Sequence, residues 1–521
     1  MCLPAVVVVL VVASERVASQ RFPPGFRFGA ATSAYQIEGG WNVSDKGESI
    51  WDRMVHSRPD FIYDRSNADV ACDSYHLWEE DLRLVQEMGL DFYRFSISWP
   101  RLLPHGFSNK ISEDGRRYYS AVVDGLRARG VAPVVTLYHW DLPQRLQDLG
   151  GWTNPLIVEW FADYARVAFT LFADRVRTWI TINEPGSVCD GGYRGLLAPG
   201  LRDREVGALL CAKHVLLAHA AAYRVYQDEF KSKYGGELSI ANQESWFEPK
   251  TDQDLDTTLL AREYLFGRYS HPIFSAAGGW PPALERYMAD KSKKEGYPRS
   301  RLPAFTQHEI QLLKGSFDFY GLNHYTSRVV RGAAPGERPA RASRGAEEVR
   351  AALETRARWG TAASSWLKVN PEGLRHLLKL IKQQYGDVKI LITENGYSDT
   401  GHQLDDRDRV NYYKEYLEQV LLAITEDAVR VVGYTAWSLL DNFEWADGYS
   451  SRFGLYSVDF SSPRRPRAAR ASARYYAGVL RARGRGGGGG GGGGGARNAT
   501  ETRVQSPLQH TRYITSGHIY E

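Results

Sequence analysis

Short apolar runs alternate with longer amphipathic ones along most of the chain. Eight runs, at 26–34, 91–99, 132–140, 178–184, 238–242, 317–325, 389–394 and 431–439, are predicted strands. Several are almost wholly apolar, as strands covered on both faces should be. The stretches between them carry apolar residues three and four apart. In 76–88, Leu77, Leu84, Val85 and Met88 recur at helical spacing, with Ser74 near the start and Gly89 at the stop. The spans 156–173, 211–230, 371–385 and 407–423 predict further helices. Eight strands, each followed by a helical stretch, predict an α/β fold, the parallel (β/α)8 TIM barrel. The connections at 35–75, 184–210, 243–315 and 326–370 are long. A minimal barrel needs about 250 residues, so the surplus falls in βα loops that would wall a deep pocket.

The two ends break this pattern. An apolar run at 5–13, then polar and small residues around Val17-Ala18-Ser19, predicts a signal peptide over 1–19. The run is shorter than the roughly 20 residues a spanning helix needs. Secretion is the expectation, with the lysosome as a second destination. Ten consecutive glycines, 486–495, open a polar stretch, so 484–521 reads as a Gly-rich disordered tail and 20–483 as the barrel domain. Asn42 and Asn498 head glycosylation sequons, which a secreted chain would expose to modification.

Composition narrows the function classes. The 521 residues are 43% hydrophobic and 24% charged, an ordinary globular balance. A net charge of +4 gives no argument for nucleic acid or an anionic membrane as partner. No stretch beyond the leader could span a membrane. Once Cys2 leaves with the leader, Cys72, Cys189 and Cys211 allow one disulfide and one free thiol, with the pairing open. Their spacing fits no zinc pattern, and no Gly-rich phosphate loop precedes a helix, so neither metal nor cofactor is expected. Oligomeric state is left open.

The chemistry gathers where predicted strands end. Gln36 and Glu38 follow the first, Arg94 lies in the second, and His139-Trp140 end the third. Asn183-Glu184-Pro185 end the fourth, Asn323-His324-Tyr325 the sixth and Glu394-Asn395-Gly396 the seventh. Trp437 lies in the eighth, ahead of Asn442-Phe443-Glu444-Trp445. A barrel brings all such ends to one face. Glu184 and Glu394 stand out because buried runs lead into both. Pro185 biases Glu184 toward extended backbone. A pair of carboxylates suits glycoside hydrolysis, in which one protonates the leaving oxygen and the other attacks the anomeric carbon or activates water.

Thr181-Ile-Asn-Glu-Pro185 and Ile392-Thr-Glu-Asn-Gly396 resemble the two signature motifs of glycoside hydrolase family 1. That family includes β-glucosidases, lactase-like enzymes and myrosinases. The resemblance runs over about 22–480 and is supported by the segments 28–39, 93–99, 442–445 and 452–455, in wording nearest animal members. It implies a retaining β-glucosidase acting on a small β-glycoside or oligosaccharide, with Glu394 as nucleophile and Glu184 as acid/base. Gln36, His139, Asn183, Tyr325, Trp366, Trp437, Glu444 and Trp445 would bind substrate, with Trp366 on the aglycone side. Arg94 and Phe453 would support the site, and Asn323 would do so around Glu394. Arg94 and Tyr325 should lower the pKa of Glu394, and the charge of Glu394 should raise that of Glu184. His324 stands where Tyr is commoner in the family and should face away from the pocket. A thioglucosidase and a catalytically inactive, Klotho-like binding protein are the alternatives. Retention of Glu184 argues against the plant thioglucosidase design, and the presence of both glutamates argues against the inactive form.

Overall fold

The eight apolar runs close on one another. In the computed structural model, which describes residues 21–484 apart from 204, 335, 338–344 and 402, they form a barrel of eight parallel strands. These are β1 (Arg27–Ala31), β2 (Phe92–Ser96), β3 (Ala132–Tyr138), β4 (Thr178–Asn183), β5 (Glu237–Gln243), β6 (Tyr320–Asn323), β7 (Ile390–Asn395) and β8 (Val431–Trp437), with β8 pairing back onto β1. The fold expectation is met. The strands are mostly shorter than the apolar runs that announced them, β6 being four residues against a predicted nine. The leader expected over 1–19 lies outside the described residues. So does the tail expected from 484, except that Gly484 still ends the last helix, Ala471–Gly484.

Side chains from around the ring explain the closure. Phe92, Val134, Ile180, Ala241, Phe319 and Leu391 form a cluster separate from the main core. They come from β2, β3, β4, β5, the lead into β6, and β7, and can meet only on the barrel axis, the filled interior such barrels require. Helices cover the outside. Ile157–Phe172 buries Ile157, Phe161, Tyr164, Ala165, Ala168, Phe169 and Phe172, a single stripe at helical spacing. Ser74–Met88 ends on Gly89 at φ 71°, as the glycine signalled. Ser74 is not its cap, since Asp73 occupies that position.

The long connections carry structure of their own. The segments after β5 and β6 contribute Trp246–Pro249, Ser327–Gly332 and Ala351–Glu354 to a three-stranded sheet. A disulfide from Cys189 to Cys211 ties the turn after β4 to the helix Gly207–Val225, and Cys72 is a buried free thiol. Among the described residues no helix is long and apolar enough to cross a membrane.

Candidate active site

Both glutamates stand where strand register breaks. The β4–β5 ladder shifts between Ile180 and Asn183, and the β6–β7 ladder shifts between Ile392 and Glu394. Such irregularities re-aim a side chain at the end of a strand. Glu184 follows β4 directly, and its backbone is left-handed at φ 50°, not the extended form that Pro185 suggested. That conformation costs about 1–3 kcal/mol and persists only where its surroundings fix it. Here the Glu184 amide donates to the Ala241 carbonyl at 2.8 Å. Its carboxylate accepts from Asn323 Nδ2 at 3.0 Å and Ser187 Oγ at 2.7 Å.

Glu394, 3% exposed, accepts from Arg94 Nη1 at 2.7 Å and from the Tyr325 hydroxyl at 2.8 Å. Arg94 also donates to the Thr393 carbonyl, to Thr136 Oγ1 and, at 2.7 Å, to Asn183 Oδ1. Asn183 Oδ1 accepts from Asn323 Nδ2 as well, at 3.0 Å. One hydrogen-bonded chain, Glu394–Arg94–Asn183–Asn323–Glu184, therefore joins the two carboxylates. Asn323 serves Glu184 and Asn183 as well as the Glu394 strand, where it is paired with Glu394 in the ladder and its Oδ1 accepts from Thr393 Oγ1 at 2.6 Å.

Burial governs the charges. The Glu394 carboxyl is pushed up to about 7, first by desolvation; the Arg94 guanidinium opposes this, and the Glu184 charge adds to it. The expected lowering by Arg94 and Tyr325 is present but outweighed, because the site withdraws Glu394 from water. Glu444 is raised well above the usual carboxylate range by burial, then by Asp447 and Glu394. His139 is pushed well below its usual value by burial and then by Arg94. Asn183 Nδ2 lies 3.1 Å from His139 Nε2, and with Asn183 Oδ1 already accepting, the ring's proton is assigned to Nδ1.

These groups line a cavity of about 440 Å³. His139, Asn183, Glu184, Asn323, Tyr325, Trp366, Glu394, Trp437, Glu444, Trp445 and Phe453 all face it. Gln36 and Arg94 lie one layer behind; the Gln36 amide donates to Asn442 Oδ1, the Phe443 carbonyl and Glu444 Oε2. Trp445 is packed among Trp51 at 4.8 Å and Trp140 at 4.5 Å, which fixes an aromatic floor. Tyr325 sits edge-on to Trp366 and Phe453. His324 faces away, its Nδ1 against the Glu244 carbonyl. Trp140, named from the sequence only as a strand end, also lines the cavity, as do Gln243 and Glu244, which were not anticipated. The aromatic directly after His139 was the available signal for Trp140, whereas Gln243 and Glu244 end a strand whose register cannot be read from its sequence.

A polar, aromatic pocket at the C-terminal mouth of a (β/α)8 barrel, with two interlinked carboxylates inside, defines a glycoside hydrolase site. A family model for glycosyl hydrolase family 1 matches residues 18–485. Myrosinase 1 of Brevicoryne brassicae is 46% identical over 473 residues, covering 88% of this chain and 98% of that protein. The cytosolic β-glucosidase of Cavia porcellus is 41% identical over 468 residues, covering 89% and 98%. Among solved structures, an aphid myrosinase superposes with a TM-score of 0.85 at 45% identity, covering 89% of this chain and 99% of that one. A rice β-glucosidase does so with a TM-score of 0.81 at 38% identity, covering 88% and 98%. The chain belongs to glycosyl hydrolase family 1 and is a glycoside hydrolase resembling β-glucosidases.

Proposed function

We propose that the protein is a secreted, retaining β-glucosidase that releases terminal β-D-glucosyl residues through a covalent glycosyl-enzyme. The observation that carries this reading is the hydrogen-bonded chain linking Glu394 to Glu184 through Arg94, Asn183 and Asn323. Glu394 attacks the anomeric carbon as the carboxylate while the Glu184 proton passes to the departing glycosidic oxygen. The carbon–oxygen bond breaks and an ester to Glu394 forms. Beside that uncharged ester Glu184 is left as the carboxylate. It then takes a proton from water, which attacks the same carbon and releases glucose and Glu394. Asn183, held by Arg94 and Asn323, would meet the sugar 2-hydroxyl, and Glu444 and His139 would take other hydroxyls of the ring. Trp437 and Trp445 offer apolar faces to the ring.

Secretion is supported by the leader-like N-terminus and by the Cys189–Cys211 disulfide, a bond that persists mainly in oxidising compartments. The likeness to aphid myrosinase favours a second reading, a thioglucosidase. Purified protein should hydrolyse para-nitrophenyl β-D-glucoside with retention. Glu394→Gln should be inactive, and Glu184→Gln should regain turnover of this activated substrate with azide, giving β-glucosyl azide. An α-configured azide product, or a fully active Glu394→Gln, would overturn the assignment. Faster turnover of a β-thioglucoside than of its oxygen counterpart would favour the second reading.

A further inference from the structure

Arg94 fixes the direction of the hydrogen bonds between the two carboxylates. A guanidinium only donates, so Asn183 turns its oxygen, Oδ1, toward Arg94 Nη2 at 2.7 Å. Asn323 then presents Nδ2 to that same oxygen, and Thr393 Oγ1 donates to Asn323 Oδ1 on the other side. The second hydrogen of Asn323 Nδ2 goes to Glu184 Oε1 at 3.0 Å. Oε1 therefore faces a permanent donor, and a proton placed on it would crowd that hydrogen and weaken the bond. Oε2 instead meets the Ser187 hydroxyl at 2.7 Å, a group that donates or accepts by turning about one bond. We infer that Glu184 carries its catalytic proton on Oε2, and that Ser187 is the positioning residue that follows it, accepting from the protonated acid and donating to the carboxylate. The inference rests on the glucosidase reading and names a residue for its acid/base step.

The surroundings hold Ser187 for both states. It is buried behind Glu184, off the cavity wall, so it acts through the carboxyl and not on substrate. It opens the helical turn Ser187–Gly191. That turn is tied down twice: the Val188 amide donates to the Glu184 carbonyl at 3.0 Å, and Cys189 is bonded to Cys211 on the helix Gly207–Val225. A serine in a helical turn also has the carbonyls three and four residues back within reach of its hydrogen, so the hydroxyl keeps an outlet while it accepts from Glu184. When substrate binds, the Oε2 proton turns from Ser187 to the glycosidic oxygen and transfers as that oxygen's bond to the anomeric carbon breaks. The Ser187 hydrogen then turns onto the vacated Oε2. In the second step water gives a proton back to Oε2 while its oxygen bonds to the anomeric carbon and the ester to Glu394 breaks, and Ser187 returns to accepting.

The test compares Ser187→Ala with wild type on phenyl β-D-glucoside, whose leaving oxygen needs a proton, and on dinitrophenyl β-D-glucoside, whose phenolate leaves unaided. A hydrogen bond to a charged group is worth roughly ten- to a hundredfold, and kcat/KM for the phenyl substrate should fall by that factor. For the dinitrophenyl substrate kcat/KM should fall less than about threefold, because that step needs no acid. Its kcat reports the attack of water, which needs the base, so kcat should drop about tenfold and recover with azide, a nucleophile that needs no base. Ser187→Thr keeps the hydroxyl and should stay within about threefold of wild type throughout. Should the alanine variant fail to fold, Ser187→Thr against Ser187→Val makes the same comparison at nearly equal shape. Equal losses on both substrates, as a purely structural role would give, or no loss on either, would overturn the inference while leaving the glucosidase standing. No turnover of either substrate by the wild type would overturn both.

Discussion

Replacing Arg94 by methionine tests the electrostatics of the site most directly. Arg94 is 1% exposed and touches Glu394 Oε1 at 2.7 Å. An opposite charge this close lowers a carboxyl pKa by about 1–3 units. Coulomb's law gives the same window: about 4 kcal/mol at 4 Å and an effective dielectric of 20, or about 3 units. With Arg94 in place Glu394 already titrates at about 7, because burial outweighs the guanidinium. In the proposed chemistry Glu394 attacks as the carboxylate, so activity is gained as pH rises through that value. Without Arg94 the acid limb of kcat/KM should move to roughly 8–10, and activity at pH 6 should fall about 10- to 1,000-fold through ionisation alone. Above that shifted limb, where Glu394 is left charged and without its partner, the fold should also lose about 3–5 kcal/mol. The assay is kcat/KM for an aryl β-glucoside from pH 5 to pH 10, with thermal unfolding at each pH. Arg94→Lys keeps the charge, so its limb should stay within about one unit of wild type while its rate falls through the lost fork to Asn183. An Arg94→Met limb that stays put while the whole profile drops would refute the reasoning and leave Arg94 as a positioning residue only.

Stability should report the same carboxyl. Its folded value, about 7, lies above its ordinary 4.5, so its contribution is complete below pH 4.5 and lost as pH rises to about 7. Glu394→Gln removes that dependence, so denaturant unfolding should show wild type losing about 3 kcal/mol against the variant across this interval; a constant difference would mean that Glu394 is not raised. The disulfide closes a span of 22 residues. On loop entropy that is worth about 3 kcal/mol, so Cys189→Ser with Cys211→Ser should lower Tm by about 3 °C in a domain of this size. A calorimetric change under about 1 °C would show that the bond adds little beyond packing already present.

The sequence by itself determined the barrel and the identity of its chemical groups. Apolar strands alternating with amphipathic helices admit few arrangements that cover both faces of every strand, and a closed parallel barrel is one of them. The residues ending those strands had to meet at one mouth, which is why Glu184, Glu394, Asn183, Tyr325 and Trp437 could be named from their positions in the chain. What period and composition do not encode is register and dehydration. Asn323 serves Glu184 because a shift at Ile392 and Glu394 sets where β6 stands against β7, a choice made by the whole ring. Glu184 is left-handed because Ala241, Asn323 and Ser187, remote or turned back on it, hold it there. Glu394 is pushed up because the complete wall around it excludes water, a sum over many side chains that no local segment contains. The cavity wall draws Leu197, Phe247, Leu265, Leu353 and Trp366 from connections far apart in the chain. Sequence names those side chains singly, and only tertiary packing faces them toward one another, because burial is a property of the assembled surface.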